Sequence, residues 1–358
     1  MSKNEWWFGF QIIAICVFWY GSSSAQNIVN KLALQSFPYP LTISLSSLLN
    51  NVLYAIPLTR ILHIKQTHVS STYLIKTILP ISLGRAAAVT TAYFGLQKLA
   101  VSFAQTVKGT SPIFTIIISR FVLGERQSGR VYFSLVPIIC GVAIASITEI
   151  RFDSLGVMAA LFSTCIFSWL NILAKKVFDE TNMHPITFLS INSQLSAVIL
   201  FPLWSLKDGR DMWLKYTTHD NSNQMATNEP VISTFMMFLV LSGLLSFIQN
   251  FCAFLLIHQL TTLSYAVSNA AKRVSVILLS LLTLQNPVTP LNLIGMLISV
   301  LGIFVYNRAK HSENKKRSTS PVVFDEQPNQ MLRRRERTIS LREMHSSKSD
   351  VRLLLTSN

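Results

Sequence analysis

The chain has 358 residues, of which 50% are hydrophobic and 13% charged, with a formal net charge of +15 and a positive mean hydropathy. That balance excludes an ordinary soluble domain and an intrinsically disordered chain, and puts the protein in the membrane class. All four cysteines (Cys16, Cys140, Cys165, Cys252) fall inside apolar stretches, which argues against an exposed disulfide framework.

Ten apolar stretches of near 20 residues, each long enough to cross about 30 Å of hydrocarbon, are predicted at residues 7–27, 39–61, 74–96, 99–121, 131–149, 155–175, 185–205, 232–257, 262–284 and 289–307. The first begins almost at Met1 without a basic flank and runs through Trp19-Tyr20 into Ser-Ser-Ser-Ala, so it reads as a retained span, with no Arg/Ser-rich transit segment before it. The third carries Arg85, which either extends an internal anion site towards one mouth or snorkels to the interface. The fourth is interrupted by Lys108, and Pro112 just beyond is predicted to kink it. The sixth ends on Lys175-Lys176, a pair suited to an interface or to attracting substrate. Gln249, Asn250 and Asn269 lie in spans eight and nine, where polar groups either bond between helices or meet a sugar or base. The ninth contains Lys272-Arg273 in its middle. From Arg308 onward come twelve Lys/Arg and six acids, a Ser- and Arg-rich extension that reads as a disordered basic tail.

Loops after even-numbered spans hold Arg60, Lys65, Arg120, Arg126 and Arg130, whereas loops after odd-numbered ones are poorer in cations, as with Lys31. Both termini are therefore expected in the cytosol.

A lysine or arginine near the bilayer centre costs about 2.5–3.5 kcal/mol on insertion scales. Lys108, Lys272 and Arg273 are expected to survive there by facing a shared cavity, and the spans hold hardly any Asp or Glu to pair with them. Three cations without acids point to an anionic solute.

Ser102-Phe-Ala in span four is similar to Ser264-Tyr-Ala in span nine, and each is followed 39 or 38 positions later by a glycine, Gly141 or Gly302. Residues 1–150 and 151–310 then form two five-span repeats, with 311–358 as the tail; an odd number of spans inverts the second repeat relative to the first.

Lys98-Leu-Ala-Val-Ser-Phe-Ala-Gln-Thr-Val-Lys108-Gly-Thr-Ser-Pro112, Leu263-Ser-Tyr-Ala-Val-Ser-Asn-Ala-Ala-Lys272-Arg273-Val, Asn286-Pro-Val-Thr-Pro-Leu-Asn and Asn171-Ile-Leu-Ala-Lys175-Lys176 resemble the signatures of the triose-phosphate translocator family, in its endomembrane, nucleotide-sugar branch. The resemblance covers about residues 7–310. It implies an all-α membrane protein of ten helices in two inverted repeats, the drug/metabolite transporter fold, with obligate exchange of phosphorylated solutes. It also implies that Lys108, Lys272 and Arg273 hold the substrate phosphate. The histidine and threonine that plastid members use in span three are Val89 and Ala92 here, and their span-eight tyrosine is Gln249, which puts a three-carbon substrate in doubt.

The expected function is antiport of phosphorylated sugars or nucleotide sugars against phosphate or a nucleotide monophosphate across a Golgi or endoplasmic-reticulum membrane. Arg85, Gln249, Asn250 and Asn269 are further candidate contacts. The alternative is a non-transporting scaffold acting through the tail. No motif supports an enzyme, a metal site or a cofactor, and nucleic acid is not an expected partner. At the tail, Arg333-Arg-Arg-Glu-Arg337-Thr-Ile-Ser340 resembles a kinase site, and anionic lipid is the other expected partner there.

Overall fold

A computed structural model describes residues 3–63, 70–122, 124, 127–150, 152–181, 183–220, 225–260, 262–285 and 287–319, and all regular structure among them is helical. The main helices are α1 (Lys3–Ser36), α2 (Pro40–Ile61), α3 (Leu79–Lys98), α4a (Val101–Lys108), α4b (Ser111–Val122), α5 (Val136–Ile147), α6 (Ser154–Thr181), α7 (Pro185–Trp204), α8 (Met225–Gln259), α9 (Thr262–Leu284) and α10 (Pro290–Thr319). A wide turn of π geometry, Leu74–Ile78, leads into α3, and another, Ser205–Gly209, joins α7 to a helix Arg210–Asp220. The chain divides into a compact unit Met1–His311 and a second, Ser312–Asn358. Of the second, only the helical residues to Thr319 are described, so the helix runs beyond the 307 expected; the rest of the predicted disordered tail, its kinase-like segment included, lies outside the described residues.

The helix starts follow local chemistry. Pro40, Pro185 and Pro290 open α2, α7 and α10, where a missing N–H costs nothing. Asp153 Oδ1 accepts from Gly156 N at 2.7 Å at the head of α6, and Thr289 Oγ1 from Asn292 N at 3.1 Å at the head of α10. Asp208, only 3% exposed, accepts from the Thr42 backbone N at 2.9 Å and so caps α2 from across the bundle.

Among the described residues eight segments are long and apolar enough to cross a membrane, and the protein is a multi-pass membrane protein. Two of the ten expected spans fall short. Helix α3 carries Arg85, Thr90, Thr91, Gln97 and Lys98, and span four is broken into pieces of 8 and 12 residues, roughly 12 and 18 Å at 1.5 Å per residue. Large apolar side chains point outward, Phe121 at 82% and Ile147 at 85% exposed, while Ser82, Ser163, Ser193 and Ser196 are sealed inside. Apolar outside and small-polar inside suits lipid as the surrounding solvent.

The packing is reciprocal. Helix α3 runs along α6, and α1 along α8; α1 meets α9, and α4 meets α6; α3 meets α7, and α2 meets α8. Helix α2 lies on α7 and α4a on α9. Exchanging helices 1 to 5 with 6 to 10 turns α3–α6 into α1–α8, α1–α9 into α4–α6 and α3–α7 into α2–α8, and returns α2–α7 and α4–α9 to themselves; the α2–α3 contact has no counterpart of like extent. Helices α5 and α10 meet backbone to backbone through glycines: a Cβ on Gly302 would stand 2.7 Å from Ile138 N, one on Gly295 2.6 Å from Ala145 N, and one on Gly141 would run into the Ser299 backbone.

Lys31 corrects the loop-charge count. Helix α1 continues to Ser36 instead of ending near 27, so Lys31 is not in a loop but inside the bundle at 6% exposed. Its Nζ donates to the carbonyls of Leu96 (2.8 Å), Gln97 (3.0 Å) and Leu99 (2.7 Å), capping the negative end of α3. Lys31→Met strands these acceptors, and a loss of about 1–3 kcal/mol is expected, read as a melting temperature a few degrees lower in detergent. An unmoved melt means that the helix end finds other donors.

Candidate functional site

Lys108 is the last residue of α4a. Gly109 and Thr110 close that helix with turns, the Gly109 N–H donating to Gln105 O (3.1 Å) and Thr106 O (2.9 Å), the Thr110 N–H to Val107 O (3.0 Å). Pro112, second in α4b, has no N–H to give to the Lys108 carbonyl four residues back, so the helical ladder loses a bond there. The kink expected from Pro112 is thus a full break. The break lies against α10: a Cβ on Gly109 would stand 3.3 Å from Ser299 Oγ and 3.2 Å from the Ile303 side chain.

Lys272 and Arg273 lie mid-way along the unbroken α9, which packs on α4a. The three cations converge: Lys272 is within electrostatic range of Arg273 and Lys108, and Lys108 of Arg273. All three are half-buried. Among the described residues no carboxylate pairs with them; the ion pairs there are Lys98–Asp153 (3.7 Å) and Lys176–Glu180 (3.9 Å), at helix ends. Arg273 Nη1 is buried with no hydrogen-bond partner among the described residues. An unpaired buried guanidinium donor beside two like charges is a costly arrangement that an anion would relieve.

Lys272 has an aromatic neighbour that sequence reasoning missed. Its Nζ lies 4.4 Å above the centre of the Trp19 ring. Trp19 is 1% exposed and stacks on Tyr265, 5.6 Å between centres with 22° between planes. The indole face is the negative pole of the ring quadrupole, so it partly balances the ammonium. Nothing in Trp19-Tyr20 distinguishes this role from membrane packing; only the crossing of α1 and α9 does.

The remaining candidates separate. Arg85 Nε is buried without a partner among the described residues, and the guanidinium is within electrostatic range of Tyr93, so it faces the interior instead of snorkelling. Asn250 Nδ2 donates to Asn51 Oδ1 at 3.3 Å, a bond between α8 and α2. Gln249 Oε1 is buried with no partner among the described residues. Asn269 is half-buried one turn before Arg273 on α9. Val89 packs on the apolar α2–α7 cluster, and Ala92 is half-buried, so neither offers a polar contact. Lys176 pairs with Glu180 at the end of α6, as an interfacial residue does. A bond from Gln105 Nε2 to Asn27 Oδ1 at 2.9 Å ties α4a to α1 just above the break.

A profile of the Triose-phosphate Transporter family matches residues 10–307. A glucose-6-phosphate/phosphate translocator 1, chloroplastic, of Arabidopsis thaliana is 31% identical over 297 residues, 82% of this chain and 73% of that protein. A phosphoenolpyruvate/phosphate translocator 3, chloroplastic, of Oryza sativa subsp. japonica is 30% identical over 307 residues, 85% of this chain and 76% of the relative. Among solved structures, one described only as the crystal structure of a protein superimposes with a TM-score of 0.52 at 14% identity, covering 84% of this chain and 98% of its own, which speaks to the fold alone.

Proposed function

We propose that this chain, which belongs to the triose-phosphate transporter family, is a secondary-active antiporter that exchanges a phosphorylated sugar for phosphate. The observation that carries the reading is the convergence of Lys108, Lys272 and Arg273 with no acid among them. Relatives named as sugar-phosphate/phosphate and phosphoenolpyruvate/phosphate translocators support phosphate as the common cargo. Val89, Ala92 and Gln249 depart from the plastid members' substrate contacts, which supports a sugar larger than a triose, extending to nucleotide sugars.

The architecture in this reading is ten helices in two inverted five-helix repeats. Support comes from the reciprocal pairings, from α5 meeting α10 through Gly141 and Gly302, and from spans four and nine bringing their cations together. Both termini are cytosolic, and the membrane is that of the Golgi or endoplasmic reticulum. Expression of a fluorescent fusion checks the compartment; plastid or mitochondrial signal would refute it.

The mechanism follows from charge. A phosphate near −2 at neutral pH largely balances three cations, and in a low-dielectric cavity that balance is worth far more than in water. Empty, the site resists closure; occupied, it closes, and the carrier alternates between faces only when loaded. Uptake into proteoliposomes preloaded with phosphate is expected at least tenfold faster than into empty ones. Equal rates with and without internal phosphate would overturn obligate exchange.

A further inference from the structure

Arg85 is left over by the phosphate site. It sits on the α3 face that also carries Val89 and Tyr93, the face turned to α1, α2 and α7: Val89 packs on the α2–α7 cluster, and the Tyr93 hydroxyl accepts from Asn30 Nδ2 at 3.5 Å. Ser242 Oγ on α8 donates to Asn30 Oδ1 at 2.5 Å, and Ser47 on α2 reaches the Tyr93 hydroxyl. Four helices thus build one polar shelf, and its amide and hydroxyls are engaged with one another. The Arg85 guanidinium, within electrostatic range of Tyr93, is not: Arg85 Nε is buried with no partner among the described residues, and no carboxylate pairs with Arg85 there.

A guanidinium in such a place is the side chain best matched to a planar or tetrahedral oxyanion, which it grips through two parallel N–H groups. Resting on the proposed phosphate-exchange reading, we infer that Arg85, seated on the Tyr93–Asn30–Ser47–Ser242 shelf, binds the second anionic group of a solute that carries two, a carboxylate or a second phosphate, while Lys108, Lys272 and Arg273 hold the first. Arg85 is then the residue that sorts doubly anionic cargo from singly phosphorylated, otherwise neutral sugars.

Binding to purified full-length protein, followed by ligand-induced thermal stabilisation, tests this without relying on transport. The probes are glycerol 3-phosphate with one anionic group, phosphoglycolate with a carboxylate added, and fructose 1,6-bisphosphate with a second phosphate. Wild type is expected to bind at least one of the latter two tenfold or more tightly than glycerol 3-phosphate, a preference of about 1.4 kcal/mol, and which of the two it prefers identifies the group. Arg85→Gln erases the preference and leaves glycerol 3-phosphate affinity within about twofold. A wild type with no preference, a variant that keeps it, or a variant weakened equally for all three probes overturns the inference. Should Arg85→Gln fold poorly, Arg85→Lys decides: it keeps the charge but loses the fork, so the preference must shrink, and an undiminished one is fatal. If wild type exchanges no phosphate in liposomes yet Arg85→Gln still loses only the doubly anionic ligands, the transport reading falls and this one stands.

Discussion

Replacing Lys108, Lys272 and Arg273 together with glutamine abolishes phosphate counterflow and raises the melting temperature of the empty protein. The two effects have one cause. Three half-buried cations with no acid among the described residues repel one another and are poorly hydrated, so neutralising them relieves a cost that the empty state carries. In the proposed reading the same charges are what an anion binds to. Hydrogen bonds to charged groups are worth about 1.5–3 kcal/mol each, so any one of the three substitutions alone is expected to weaken phosphate binding by roughly ten- to a hundredfold. Function and stability should therefore move in opposite directions at this site, the pattern of a strained binding centre. Undiminished counterflow in the triple variant removes the site; a markedly lower melt indicates that the cations hold the fold and not a ligand.

Gly141→Val is expected to yield little or no monodisperse protein. At this position the side chain would enter the Ser299 backbone of α10, and the neighbouring contacts at Gly295 and Gly302 leave no slack for the helices to part locally. Overpacking that side chains can absorb costs about 1–3 kcal/mol; here the obstacle is main chain, so the helices must separate along their length. In lipid, close approach is itself the source of association between helices, and separation forfeits it. Gly21→Ala is the control: a Cβ there meets nothing within 4 Å, so it is expected to be neutral or stabilising by up to about 1 kcal/mol. Size-exclusion profiles and thermal melts of the two variants in the same detergent separate them. A well-behaved Gly141→Val would show that α5 and α10 are not in close contact.

Much of this was legible in the chain itself, because hydropathy and charge are read directly. The cations of spans four and nine stand out against apolar surroundings, and the two glycines that follow at similar spacing prove to lie where α5 and α10 touch. What escaped is what depends on partners. Lys31 looks like a loop charge until α1 is known to continue past residue 27 and to end against α3. Trp19 is one aromatic among many in apolar stretches, and only the crossing of α1 with α9 brings it under Lys272. Arg85 left two readings open because burial, not sequence, separates an inward guanidinium from a snorkelling one. The break at Lys108 was half visible: Pro112 removes one donor, but the place of the break against α10 is a long-range contact that the local sequence does not show.

That break gives the molecule a short lever. Lys108 ends the stub that stops there, while Lys272 and Arg273 ride on a helix that runs unbroken. Any swing of the stub against the rod changes the spacing of the charges directly, and any ion lodged among them tugs on the swing in return. In the proposed antiporter, sensing and moving would then meet in one residue, and the coupling would need no relay through the rest of the protein.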